Sequence, residues 1–145
     1  MKKSLWAPFF LTLLIAQDNN LFFSEYAEGS NHNKYLEIYN GTGSDVDLAN
    51  YAIVRYNNGD NEPGDENLYP LSGSLTNGEV YIIANAQADP TGILPYNDDN
   101  GSSMTVTFYN GNDYLGLIQD SNNDGVFDNS SEVIDVIGVL SLIHI

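Results

Sequence analysis

A chain of 145 residues with 20 Asp or Glu, four Lys or Arg and no cysteine is long enough for one domain with a real core, and that core has to hold without disulfides. The formal net charge of −16 repels phosphates, which argues against direct nucleic-acid binding and favours cationic ligands. The lack of cysteine removes thiol catalysis and thiolate metal sites.

In chain order, Lys2 and Lys3 come first, then the apolar run Leu5–Ala16, which ends on the small residue Ala16. A basic start, a short apolar stretch and a small residue are the pattern of a secretory signal. The expectation is a cleaved signal peptide over residues 1–16 and a short linker over 17–20, with an uncleaved N-terminal anchor as the alternative. The apolar run is short for a bilayer span, and Val136–Ile145 is shorter still. Cleavage would leave Lys34 and Arg55 as the remaining Lys and Arg, for a net charge of 2 − 20 = −18. The location this predicts is secreted, extracellular or cell-surface, without membrane contact after cleavage.

Leu21–Tyr51 reads as strand, polar turn, strand, turn and the start of a third strand. Leu36 and Ile38 alternate with Tyr35, Glu37 and Tyr39, the period of a half-buried strand, and Asn40-Gly41 and Gly43-Ser44 break the run. Tyr51–Tyr56, Tyr114–Ile118 and Val133–Ile137 are further short strand candidates. Val80–Ala84 is apolar on both faces and is expected as a central strand. In Met104–Tyr109, Met104, Val106 and Phe108 are expected on one face, with Thr105, Thr107 and Tyr109 on the other. Between these runs lie turn-rich segments at 57–67, 97–103 and 120–131. Outside the signal no stretch has helical periodicity, so the class is all-β, a sandwich or a barrel. The ten tyrosines suit half-buried strands, and a row of exposed ones would suit a sugar or a protein partner. The sequons at Asn40, Asn100 and Asn129 read as turn chemistry.

The pattern SEY-x-EGS-x-x-x-KYLEIYN, followed by a polar turn and VDL-x-x-Y, resembles the opening of a lamin-tail domain of the secreted bacterial type. Leu75–Ala84 (LTNGEVYIIA) is similar to the family's turn and central strand, and Val133–Val139 (VIDVIGV) to a late strand. The resemblance covers residues 21–139. It implies an immunoglobulin-like β-sandwich without catalytic activity. In bacteria such domains are commonly attached to extracellular nucleases, phosphatases and other hydrolases, where they are thought to mediate adhesion or anchoring. A protein or a cell-surface polymer is the implied partner. Residues 140–145 carry no turn signal and fall short of the family's usual closing turns. They are expected either as a truncated or non-native tail or as a last strand in their own right.

The sharpest chemical pattern is Asp120–Glu132 (DSNNDGVFDNSSE). Asp120, Asn122 and Asp124 alternate and Gly125 follows, the first half of a calcium loop. Calcium needs six to eight oxygens, and alternate residues of a tight loop can turn theirs inward. Val126 would give its carbonyl, Asp128 a carboxylate or a water-mediated contact, and Glu132 a carboxylate. Glu132 lies one residue later than an EF-hand requires, and the flanks read as strands. The loop therefore looks more like those of dockerin-type or thrombospondin-type repeats, set in a β-hairpin. The expected role is a structural calcium staple; the alternative is a hairpin loop with no ion. Asp60–Glu66 and Asn97–Asp99 are expected as solvated acidic turns.

Catalysis has little support. His32 and His144 are the two histidines, and His32 falls in a polar turn where exposure is the default. Neither G-x-S-x-G nor a glycine-rich phosphate loop occurs. The chain is expected not to be an enzyme. Two alternatives stand beside the binding module. One is a carbohydrate-binding module, weakened because Trp6, the one tryptophan, would leave with the signal. The other is a fragment of an extracellular nuclease or hydrolase that carries this domain as an accessory.

Overall fold

The computed structural model describes residues 20–59, 67–99, 105–127 and 131–138. The expected signal segment and the expected acidic turn at 60–66, with Met104, Asp128 and the residues after Gly138, lie outside them. The described strands are β1 (Leu21–Glu28), β2 (Lys34–Asn40), β3 (Val46–Asp47), β4 (Tyr51–Tyr56), β5 (Leu68–Pro70), β6 (Ser74–Leu75), β7 (Val80–Ala84), β8 (Tyr114–Gln119) and β9 (Glu132–Gly138). All pairings are antiparallel. They form a three-stranded sheet in the order β1-β2-β7, a four-stranded sheet in the order β5-β4-β8-β9, and a two-stranded ribbon, β3-β6. The all-β sandwich read from the sequence is present. No helix among the described residues is long and apolar enough to cross a membrane.

Strict alternation makes β2 the spine of the first sheet. Lys34, Leu36, Ile38 and Asn40 are buried, and Tyr35, Glu37 and Tyr39 are half-exposed. Leu21, Phe23, Leu36, Ile38 and Ile83 meet Tyr51, Ile53, Leu115 and Leu117 from the second sheet in one continuous core. Burying aliphatic and aromatic side chains of this size is the main stabilising term, about 1.5–3 kcal/mol each.

The second sheet has an apolar outer face as well. Ala52, Val54 and Ile118 are buried there beside Tyr56, Leu68 and Phe127. Gly116 sits among them: a Cβ at that position would lie 3.1 Å from a Val54 methyl. Tyr56 and Tyr114, directly opposed across β4 and β8, stack with ring centroids 4.1 Å apart and planes 5° from parallel. Part of each ring is spent on its neighbour, which is sheet packing.

Two strand expectations need correction. Val80–Ala84 is a strand, but it lies at an edge of its sheet and not at the centre. Apolar character on both faces arises because Ile83 and Ala84 are buried while Val80 is 37% exposed. The edge amides of Ile82 and Ala84 donate to the side chains of Asp98 and Asn97, at 2.8 and 2.9 Å. Side chains thus take the place of a further strand. Residues 105–107 form a turn rather than a strand. Val106 and Tyr109, three residues apart, are both buried, a spacing that a turn allows and a pleat does not.

Tyr109 closes one end of the sandwich. Its hydroxyl lies 2.6 Å from the Ala27 carbonyl and 2.9 Å from the Tyr35 carbonyl, across the paired positions of β1 and β2. The Lys34 ammonium donates to the Tyr109 carbonyl and lies 3.8 Å from Glu28. Burial of the Tyr109 ring, with negative charge nearby, pushes its phenol far above the usual tyrosine range. It therefore remains a neutral donor at any ordinary pH.

Candidate functional site

The acidic loop after β8 is a hairpin connection held by its own polar atoms. Asp120 is 1% exposed, fixed from behind by its amide on the Asn50 carbonyl at 2.9 Å. Its two carboxylate oxygens accept the amides of Asn123 and Gly125, at 2.9 and 2.8 Å. Asp124 accepts the amide of Val126 at 2.8 Å and the side-chain amide of Asn122 at 2.9 Å. Asn123 and Gly125 bend the chain with φ of 56° and 79°. Carboxylates taking local amides are the usual Asx-turn device of Asp and Asn. Of the expected calcium ligands, Asp120, Asn122, Asp124 and Val126 lie together in this loop. Glu132 is exposed at the start of β9, and Asp128 lies outside the described residues. No group of three or more His, Asp or Glu converges as a metal site among the described residues. Each Asp124 carboxylate oxygen takes one of these amides and keeps a second lone pair with which it can face an ion. The donor set is chemically suited to it, since all its atoms are hard oxygens.

The remaining polar residues of the sequence reading have structural partners. His32 is half-buried, edge-on to Phe108 with centroids 5.7 Å apart, where exposure was the expectation; His144 lies outside the described residues. Asn40 is fully buried and donates to the carbonyls of Ser44 and Leu75, at 2.9 and 2.8 Å. Its sequon is turn chemistry, as expected.

A cleft of about 600 Å³ lies on the side where β5 faces β7. Tyr69 of β5, Leu75 of β6 and Tyr81 of β7 wall it, and Glu79, Asp98 and Asp99 bring carboxylates to it. Asp98 is held by the Ile82 amide and Asp99 by the Tyr69 hydroxyl, at 2.8 and 2.6 Å. Of the acidic turn expected to be solvated at Asn97–Asp99, Asp98 is exposed but Asp99 is buried, at 8% exposure. Burial raises the Tyr69 and Tyr81 phenols above their ordinary range, reinforced at Tyr69 by its bond to Asp99 and at Tyr81 by the charges of Asp99 and Asp98. Both rings stay neutral, and the cleft carries the charge of its carboxylates. No local pattern marks this cluster, because its members come from four segments that only the sheet edges bring together.

A smaller hollow of about 260 Å³ lies on the outer face of the first sheet, between Tyr35, Glu37, Ile82 and Tyr96. A family model described as Lamin Tail Domain matches residues 15–139. No curated protein matches the chain.

Proposed function

The chain belongs to the lamin tail domain family, and from that premise we propose that it is a non-catalytic docking module, exported and held at the cell surface or secreted. The observation that carries this reading is the family match over residues 15–139, which spans the whole immunoglobulin-like sandwich. The family is one of non-catalytic domains. The arrangement of polar groups agrees with a binding role: Asp98, Asn97, Asp113 and Asp120 accept backbone amides and so serve the scaffold rather than a reacting group. Export is supported by the Lys2, Lys3 and Leu5–Ala16 pattern. The partner class is a protein or a cell-surface polymer. The loop from Asp120 to Glu132 serves as a calcium staple in calcium-rich media.

Two measurements test this. The purified chain is expected to turn over no DNA, phosphoester or glycoside substrate, and to bind saturably to an isolated bacterial envelope fraction. Turnover of any of these substrates, or retention that never saturates, would sink the docking role. For the staple, the melting temperature is expected to be higher in millimolar calcium than in excess chelator. Coincident melting curves would remove the ion.

A further inference from the structure

We propose that the cleft between β5 and β7 is a docking groove for a basic segment of a protein partner, seating a Lys or Arg side chain between the Tyr69 and Tyr81 rings with its charge toward Asp98 and Asp99. The inference rests on the docking role above and gives it a place and a chemistry. The argument starts from the shape. Sandwich edges expose backbone that other chains can meet. Here β5 is three residues long and ends on Pro70, which has no amide to offer, and β7 has its edge amides at Ile82 and Ala84 taken by Asp98 and Asn97. Strand addition is therefore blocked along much of this side, and a hollow of about 600 Å³ remains between the two edges.

Charge decides the occupant. The hollow is rimmed by Glu79, Asp98 and Asp99, and no Lys or Arg lines it. Lys34 and Arg55 are the two such residues after Lys3. Lys34 is bound to the Tyr109 carbonyl and Glu28, and Arg55 to Asn67 at 2.8 Å. The chain thus supplies no Lys or Arg of its own to the hollow. A cleft of one sign with low-dielectric walls focuses potential and attracts the opposite charge. The walls choose among cations. Leu75 and the faces of Tyr69 and Tyr81 suit the methylene stem and the cation–π preference of a Lys or Arg side chain. A bare divalent ion would make no use of them. An anionic polymer is repelled by a surface of this charge.

The test uses a capped, fluorescent peptide of alternating Gly and Lys or Arg, titrated into the full chain, with NMR of the tyrosine rings and amides as the second readout. Saturable binding is expected, with shifts at Tyr69 and Tyr81. Asp98→Asn together with Asp99→Asn should weaken it roughly tenfold, and added salt should weaken it as well. Glu25→Gln removes one charge at the opposite edge of the first sheet and should weaken it less than about twofold. Because Asp99 is buried, Asp98→Asn alone is the decisive variant should the double variant misfold; a loss of about threefold is expected there. The proposal is overturned if the peptide does not bind, if Glu25→Gln costs as much as Asp98→Asn, or if calcium shifts the Tyr69 and Tyr81 signals while the peptide leaves them in place. Envelope binding that persists in a chain that ignores the peptide would reject the cleft and leave the docking role standing.

Discussion

The two long sides of the sandwich solve the same problem in opposite ways. On one side β1 and β9 close on each other: the Phe23 amide donates to the Asp135 carboxylate at 2.7 Å, tying the two sheets together. The β1–β2 pairing shifts register between Phe23 and Glu25, and the β8–β9 pairing shifts between Leu117 and Ile118, so both edges are bent away from continuous pairing. On the other side β5 and β7 stay apart. Side chains and a proline blunt their edges, and a hollow with acidic and aromatic lining is left. A sandwich can seal a side by joining its edges or protect an open one by occupying its amides. Only the second way leaves room for a ligand.

Four experiments would break or sharpen that contrast. Leu117→Ala removes a fully buried side chain from the core shared by both sides and should cost about 2–5 kcal/mol. Chemical denaturation measures it, and a loss below about 1 kcal/mol would show a core that collapses around the gap. On the sealed side, Asp135→Ala leaves the Phe23 amide without its carboxylate and should cost about 1–3 kcal/mol. Tyr109→Phe, at the end of the sandwich, should cost about 1 kcal/mol because two strand carbonyls lose their shared donor. Asp98→Asn on the open side should change stability by less than about 1 kcal/mol, since an amide oxygen can still accept from Ile82. Its effect belongs to binding. A loss there as large as that of Asp135→Ala would mean that the open side is as structural as the sealed one.

Alkaline titration adds a check on both regions. The phenols of Tyr26, Tyr69 and Tyr109 are raised, in each case by burial first. A raised phenol keeps its proton longer in the folded state than in the unfolded one. Its contribution to stability is therefore complete below the ordinary tyrosine pKa of about 10 and is lost as pH rises beyond it. Absorbance at alkaline pH should show tyrosines that ionise only as the chain unfolds. Full ionisation near pH 10, with the fold retained, would contradict the burial of these rings.

Much of this was legible in the sequence. Alternation placed β2 residue by residue, and short apolar runs placed β4, β8 and β9 within a residue or two. Gly, Asn and Asp marked the turns, and the lamin-tail pattern fixed the family. These features are local, because each depends on a period of two or on a turn residue's own backbone preference. What failed was what depends on neighbours. Val80–Ala84 carries the composition of a central strand yet lies at an edge. Val106 and Tyr109 are buried from a turn. Asp99 looks like a solvated residue and sits against Tyr69.

By itself, then, the sequence determined the class of the fold, its longer strands and its anionic character, since composition and periodicity act within a few residues. Which strands became edges, which acids turned inward and where a hollow remained were decided by the tertiary structure. Those outcomes depend on how residues as distant as Tyr69 and Asp99, or Phe23 and Asp135, are brought within hydrogen-bond reach. No short-range pattern encodes that approach; only the packing of one sheet on the other sets it.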